Sequence, residues 1–166
     1  MRQEGTGQME LMVSIAQQTL IAYEAGQQQF CYSISTAGNG AGEENGSEKT
    51  PRGWHIIRAK IGQGQPANTV FVGRRPTGEI YTSALGQAYP GRDWILTRIL
   101  WLSGLEKGFN RLGAVDTMRR YVYIHGSPDS VPMGQPGSKG CIRMKNQDII
   151  PLFERVPVGT KLFIDE

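Results

Sequence analysis

Residues 123–144 read YIHGSPDSVPMGQPGSKGCIRM. His125 follows an apolar run, residues 121–124, that is typical of a β-strand, and Cys141 opens a second short run after a glycine. Two strand ends of this kind can bring their side chains together across a sheet. Because an adjacent imidazole raises the thiolate fraction of a cysteine, the stretch predicts a cysteine acyl-transfer site. Cys141 is the expected nucleophile and His125 the expected base.

The composition indicates one β-rich domain. The chain has 166 residues, of which 22 are glycine and 9 are proline, so we expect many turns and short strands. The net charge of +3 comes without any run of Lys and Arg, which argues against nucleic-acid binding and suits a small anionic substrate. No stretch approaches the ~18 apolar residues of a membrane-spanning helix. We expect a polar tail over residues 1–8 and a single domain over residues 9–166.

The two cysteines and two histidines show no metal-ligand spacing, so neither a metal nor a cofactor is expected. Cys31, in mid-strand among aromatic residues, is expected to be structural, and a Cys31–Cys141 disulfide stays open as an alternative. His55 is also expected to be structural. The apolar run of residues 11–15 is shorter than the ~7–15 residues of a signal-peptide core and lacks a cleavage site. We therefore expect a cytoplasmic protein, with a periplasmic location as the alternative.

Alternating patterns and turn residues predict the strands, and helical spacing predicts two helices. Asp93 is the expected N-cap of a helix over residues 93–102, and Asn146 that of a helix to about residue 155 that contains Pro151. A hairpin is expected around residues 76–78, and a loop over residues 103–116. The predicted strands cover residues 9–16, 19–23, 30–36, 54–61, 70–73, 79–84, 121–124 and 161–164.

The 123–144 stretch resembles the motif of YkuD-type L,D-transpeptidase catalytic domains. That motif is His-Gly or His-Ser, followed a dozen or so residues later by Ser/Thr-His-Gly-Cys and a nearby Arg. The matching positions are Ser138, Gly140, Cys141 and Arg143. Residues 47–53, 93–106 and 158–164 resemble further segments of the family, so the resemblance covers about residues 9–165. It implies a mostly β fold, a β-sandwich or barrel with one or two short helices.

The resemblance also implies roles for the residues around the motif. The carbonyl of Gly126 orients the imidazole, and Gly140 lets the Cys141 N–H face an oxyanion. Arg143 is expected to anchor a carboxylate, which a planar guanidinium suits, or to stabilise the site. Lys139 stands where the family usually has His, and its ammonium would favour a thiolate at Cys141. Ser138 is expected to form a hydrogen bond in the site, and Arg98 is expected to line the cleft.

The resemblance also implies a reaction. Cys141 attacks the carbonyl of the third residue of a peptidoglycan tetrapeptide stem, D-alanine leaves, and a thioester remains. Water as the acceptor gives L,D-carboxypeptidation, and an amine gives L,D-transpeptidation. Carbapenems are the expected covalent inhibitors. Without a visible export signal the chain is expected to meet soluble muropeptides, so we expect an L,D-carboxypeptidase of peptidoglycan recycling.

Two alternatives remain. The first is an L,D-transpeptidase that forms 3-3 cross-links or exchanges D-amino acids in the periplasm. The second is a non-catalytic muropeptide-binding module, in which Lys139 marks decay of the site. Covalent labelling by a carbapenem separates an enzyme from a pure binder.

Overall fold

The computed structural model describes residues 8–166, so the predicted tail lies almost entirely outside the described residues. The described part contains ten strands and two α-helices, with a 3-10 turn at Gly113–Val115. The elements are β1 (Met9–Ser14), β2 (Thr19–Glu24), β3 (Gln27–Ser35), β4 (Gly53–Ile61), β5 (Thr69–Val72), β6 (Arg75–Ile80), α1 (Ser83–Ala88), β7 (Ile95–Gly104), β8 (Tyr123–Ser127), β9 (Ile142–Lys145), α2 (Asn146–Arg155) and β10 (Lys161–Asp165).

Eight of the strands form a sheet that closes on itself. Their order is β4-β10-β1-β2-β3-β9-β8-β7, and a pairing between β4 and β7 joins the two ends. The β5–β6 hairpin pairs with β7 next to β4 and extends the sheet beyond the ring. The β1–β10 and β8–β9 pairs are parallel and the others are antiparallel. The fold is therefore mostly β with two short helices, as predicted.

Alternation of side chains places the core inside the closed sheet. Leu11 and Val13 of β1 are fully buried, whereas Met12 between them is exposed. Helix α2 joins the same core through three apolar side chains at helical spacing: Ile149, Leu152 and Phe153.

Several predicted elements are present close to their expected positions. They are the helix near the C-terminus and the strands β1 to β4, β8 and β10.

The prediction of a helix over residues 93–102 is wrong, because this segment is mostly strand β7. One edge of β7 pairs with β8, and the other pairs with β5 and then with β4. Residues 96–100 are all buried. A strand covered on both faces has a continuous apolar run, which periodicity alone cannot distinguish from a buried helix. The predicted loop over residues 103–116 accordingly begins only after Gly104.

The predicted hairpin is present but its turn lies earlier, at Gly73 and Arg74. Arg74 adopts a φ of +64°, and Pro76 falls inside β6, an outer strand where its missing N–H is tolerated. Part of the strand predicted over residues 79–84 is instead the start of α1. Its N-cap is Thr82, whose Oγ1 accepts the Leu85 N–H at 3.1 Å.

Two smaller expectations also differ from the structure. Asn146 is the first residue of α2 and does not cap it, since its side-chain amide is engaged in the interior. Cys31 lies in β3 as predicted, but it is exposed and adds nothing to the core. Both cysteines are free, so the Cys31–Cys141 disulfide is absent. Neither helix of the described residues has the length and apolar character that crossing a membrane requires.

Candidate active site

The parallel pairing of β8 with β9 brings the two halves of the motif together. His125 lies opposite Arg143 in this ladder. Because side chains alternate along a strand, Tyr123 and His125 share one face of β8, and Cys141 and Arg143 share the corresponding face at the start of β9. All four residues line one cleft of about 490 Å³. The structure thus places the predicted base and nucleophile in the same cleft.

The thiol of Cys141 is held by backbone groups of the preceding strand. Its Sγ accepts the Tyr123 N–H at 3.3 Å and donates to the Tyr121 carbonyl oxygen at 3.5 Å. Burial, the main cause, raises the pKa of the Cys141 thiol to about 12, and the Tyr123 N–H opposes this rise. At neutral pH the resting group is therefore a thiol, which needs a base before it can act as a nucleophile.

The imidazole of His125 is buried and its tautomer is fixed. Nδ1 lies 2.6 Å from the carbonyl oxygen of Gly126, which can only accept a hydrogen bond. Nδ1 therefore carries the proton, and Nε2 is left with the basic lone pair. Burial, the main cause, lowers the pKa of His125, and the Gly126 carbonyl acts in the opposite direction. The resting pair is a neutral imidazole and a neutral thiol, and not an imidazolium–thiolate pair.

Short hydrogen bonds hold the turn that carries Cys141. The Ser138 hydroxyl donates to the Cys141 carbonyl oxygen at 2.6 Å and accepts the Gly140 N–H at 3.2 Å. The Thr50 hydroxyl donates to the Gly140 carbonyl oxygen at 2.9 Å. Gly140 has a φ of +130°, and a Cβ there would lie 3.3 Å from the Lys49 carbonyl oxygen. Glycine is therefore required at this position by backbone conformation and by space.

The backbone N–H of Cys141 donates to no protein acceptor within residues 8–166. A free N–H on the residue that carries the nucleophile can stabilise the oxyanion formed when that nucleophile attacks a carbonyl. The Cys141 thiol, the oriented His125 imidazole and the free N–H together are the parts of a cysteine acyl-transfer site. Within the same residues, no group of three or more His, Cys, Asp or Glu side chains could hold a metal ion.

Comparison with known proteins assigns this arrangement to a family. Residues 8–164 match the sequence model of YkuD, the L,D-transpeptidase catalytic domain. The chain belongs to the YkuD family. Curated relatives include the probable L,D-transpeptidase YbiS of Escherichia coli K12, which is 50% identical over 48 residues, or 28% of this chain and 16% of the relative. The putative L,D-transpeptidase YkuD of Bacillus subtilis 168 is 43% identical over 47 residues, or 28% of this chain and 29% of the relative.

Solved structures show the same fold. A complex of the L,D-transpeptidase LdtMt1 with imipenem superposes with a TM-score of 0.58 at 19% identity, over 95% of this chain and 59% of the other. L,D-transpeptidase 3 of Mycobacterium tuberculosis, with a faropenem-derived adduct, gives a TM-score of 0.59 at 15% identity, over 96% of this chain and 62% of the other. The chain thus matches less than two thirds of the length of these relatives and structures.

Within this YkuD domain, Arg143 is already partnered. Its guanidinium donates from Nη1 to the Gly137 carbonyl oxygen at 3.2 Å and from Nη2 to Asp93 Oδ1 at 3.4 Å. Asp93, which the sequence suggested as a helix cap, therefore lies in the cleft and faces the motif. The hydrogen bonds of Arg143 position the cleft wall, and a substrate carboxylate would have to compete with Asp93 for the same guanidinium.

The other two predicted cations differ in position. Lys139 is exposed, lines the cleft and forms no ion pair with the described residues. The expectation that Arg98 lines the cleft is wrong, because β7 is a strand and turns this side chain away from it. Arg98 is buried, donates to the carbonyl oxygens of Thr97 at 2.6 Å and Gln65 at 2.8 Å, and lies over the ring of Phe153.

One wall of the cleft contains a cation that the sequence did not reveal. Arg74, at the turn of the β5–β6 hairpin, donates to the Tyr123 hydroxyl at 3.0 Å. Its guanidinium carbon lies 4.7 Å from the ring centroid of Trp101 and 4.9 Å from that of Tyr121. This placement depends on the pairing of β5 with β7, so no signal local to residues 73–75 could have indicated it.

Proposed function

We propose that the protein is an L,D-carboxypeptidase that removes the terminal D-alanine from peptidoglycan tetrapeptide stems through a thioester. The observation that supports this proposal is the charge of the cleft next to Cys141. Three cationic side chains, Arg74, Lys139 and Arg143, line it together with one carboxylate, Asp93. Stem peptides carry several free carboxylates, and an excess of cations in the cleft attracts such anionic peptides.

The geometry allows the following first half-reaction. Nε2 of His125 takes the proton from the Cys141 thiol, which turns from the Tyr121 carbonyl toward the imidazole. Sγ attacks the carbonyl carbon of the third stem residue, and the N–H of Cys141 donates to the oxyanion. The imidazolium then returns its proton to the departing amine as the C–N bond breaks. D-Alanine leaves, and the acyl group stays on Sγ as a thioester.

The second half-reaction needs an acceptor, and the charge of the cleft favours water. The amine of an acceptor stem approaches as an ammonium, and Arg74, Lys139 and Arg143 would repel that group, whereas water carries no charge. His125 Nε2 takes a proton from water, hydroxide attacks the thioester carbonyl, and the imidazolium returns this proton to the sulfur as the C–S bond breaks. The new carboxylic acid loses its proton to solvent. The products are a tripeptide carboxylate and the regenerated thiol. Such an enzyme needs no polymeric acceptor, which fits soluble muropeptides that are trimmed in the cytoplasm during recycling.

The second candidate is an L,D-transpeptidase, which the names of the relatives and of the solved structures favour. Both candidates share the first half-reaction and differ only in the acceptor. A non-catalytic muropeptide-binding module is the third. A thiol that shares one cleft with an oriented imidazole, and whose own residue has a free N–H, supports an enzyme over such a module.

Mass spectrometry of products separates the three. The protein is incubated with a soluble disaccharide tetrapeptide, alone and with an excess of a D-amino acid, beside Cys141→Ala. Loss of one D-alanine, absent from Cys141→Ala, with no dimer and no exchange product, is the expected result. Dimers or exchange products would establish the transpeptidase instead.

A carbapenem such as imipenem provides the test of the shared first step. Acylation adds the mass of the drug to the wild-type chain and not to Cys141→Ala, whereas Cys31→Ala is labelled like the wild type. Absence of both the adduct and every product would leave the binding module. Cell fractionation of the tagged natural protein then tests the cytoplasmic location, and recovery in the periplasm would contradict it.

A further inference from the structure

Arg74 is held in the cleft by contacts that leave most of its hydrogen-bonding capacity unused. A guanidinium has five N–H donors, and the described structure records one hydrogen bond from this side chain, to the Tyr123 hydroxyl. The rings of Trp101 and Tyr121 contact its face, which leaves N–H groups at its edge. None of the ion pairs among residues 8–166 includes Arg74.

The orientation of this guanidinium is fixed before any ligand binds. Two aromatic contacts and a 3.0 Å hydrogen bond hold it in the absence of substrate. Trp101 is itself fixed, since its Nε1 donates to the Met118 carbonyl oxygen at 3.1 Å. A pre-oriented planar cation loses little conformational entropy on binding, which suits a planar anion that can accept two parallel hydrogen bonds.

Tyr123 links Arg74 to the nucleophile. Its backbone N–H donates to Cys141 Sγ at 3.3 Å, and its hydroxyl accepts from Arg74 Nη1 at 3.0 Å. Sγ and the guanidinium therefore contact opposite ends of one residue, and both line the same cleft. A substrate whose carbonyl carbon is at Sγ can extend along this cleft toward Arg74.

We propose that Arg74 binds a carboxylate of the stem peptide and so sets the register in which the peptide presents its carbonyl to Cys141. This inference rests on the proposed function and names the residue that recognises the anionic part of its substrate. Arg143 is less suited to this role because Asp93 and Gly137 already occupy its guanidinium. Lys139 is an exposed ammonium without the planar pair of donors.

A tetrapeptide stem offers three carboxylates: that of the terminal D-alanine, that of the side-chain centre of diaminopimelate and that of the glutamate. The experiment converts each to a carboxamide in turn and measures kcat/KM for release of the fourth residue by mass spectrometry. The wild type is compared with Arg74→Met and Arg74→Gln. Arg75→Met is the matched control, because Arg75 is the exposed neighbour that does not line the cleft.

Amidation of the bound carboxylate is expected to lower wild-type kcat/KM roughly 10- to 100-fold, mostly through KM, as expected for a lost charge-assisted hydrogen bond. Arg74→Met is expected to act on the unmodified stem with a kcat/KM close to that of the wild type on this amidated stem. Amidation of the same carboxylate is expected to cause no further loss in Arg74→Met. Arg75→Met is expected to keep the wild-type discrimination. Arg74 binds the carboxylate whose amidation lowers kcat/KM in the wild type but not in Arg74→Met.

Two results would overturn the inference. One is an Arg74→Met variant that still discriminates against each amide as strongly as the wild type. The other is a loss of kcat with unchanged KM in both variants, which would make Arg74 a structural part of the wall. Failure of the proposed function is distinct, since the wild type would then either release no residue from any of the stems or release it only together with dimers.

Discussion

His125 Nδ1 lies 2.6 Å from the carbonyl oxygen of Gly126, the next residue in the chain. This contact makes Nδ1 the protonated nitrogen and leaves Nε2 to accept the thiol proton. Gly126 is in turn enclosed by Asn146, Thr97 and the Leu96 carbonyl oxygen, so the backbone that orients the base is packed against β7 and α2. The orientation of His125 therefore depends on residues that do not line the cleft.

Gly126→Ala is expected to damage both the fold and the site. A Cβ at this position would clash with Asn146 Oδ1 and would lie 2.6 Å from the Leu96 carbonyl oxygen. Relief of the overlap must shift β8 and with it the carbonyl that holds His125. We expect a loss of about 1–3 kcal/mol in the free energy of unfolding and a fall in imipenem acylation of at least about tenfold. Urea denaturation and intact-mass kinetics measure the two effects.

Gly91→Ala is the matched control for Gly126→Ala. A Cβ at Gly91 meets no atom within 4 Å, and this glycine is not among those with positive φ. Wild-type stability and acylation are expected for the control. If Gly126→Ala behaved in the same way, the packing account of Gly126 would be wrong.

Thr97 tests the buried hydrogen bonds behind Gly126. Its hydroxyl donates to Asn146 Oδ1 at 2.6 Å and accepts the Asn68 N–H at 3.0 Å, although the residue has a strained φ of +74°. Thr97→Val keeps the shape but leaves these two groups unpaired, at a cost of about 1–3 kcal/mol. Thr97→Ser keeps the hydroxyl and should retain more stability than Thr97→Val at pH 7. Equal stabilities for the two variants would show that the hydroxyl adds nothing.

The motif was predictable from the sequence because its residues are local and their chemistry depends on residue type. Cys141, His125, Gly140 and Ser138 are brought together by two strand ends that the sequence marks clearly. Asp93 and Arg74 were missed for one common reason: both reach the cleft only because residues 95–104 form a strand. A run buried on both faces carries no periodic signal, and the tertiary pairing with β4, β5 and β8 determines its conformation.

Asn146 and Arg98 illustrate a second limit of the sequence. Asn146 was predicted to cap a helix and Arg98 to line the cleft, yet each is buried and bonded to groups from distant parts of the chain. A sequence shows that a residue can donate a hydrogen bond but not which partner the fold supplies. The roles of both residues therefore depended on the arrangement of β7 and α2.

The high pKa of the Cys141 thiol predicts an unusual dependence of alkylation on pH. The experiment uses a Cys31→Ser background, which leaves Cys141 as the thiol that can react. Because burial raises the pKa of this thiol to about 12, its reaction with iodoacetamide is expected to be slow at pH 7 and to keep rising through pH 10. A rate that levels off between pH 7 and 8 would instead show a preformed thiolate. His125→Asn in the same background tests whether the imidazole contributes to the rate near neutral pH.

Acid is expected to destabilise the fold through His55. This imidazole, on β4, is buried, and its Nδ1 contacts the Gly53 carbonyl oxygen at 3.0 Å while its Nε2 contacts the Thr117 hydroxyl at 2.9 Å. Burial, the main cause, lowers the pKa of His55 to about 4, whereas the unfolded chain has the ordinary value of about 6.5. Between these values the unfolded state binds more protons, so stability falls as the pH drops from 6.5 toward 4. The shift corresponds to a loss of about 3 kcal/mol in the free energy of unfolding, measured by urea denaturation at pH 7 and pH 4.

His125 is also buried with a lowered pKa, so His55→Asn is compared with His125→Asn. Each is expected to flatten part of the acid slope, and an unchanged slope in His55→Asn would contradict the assignment.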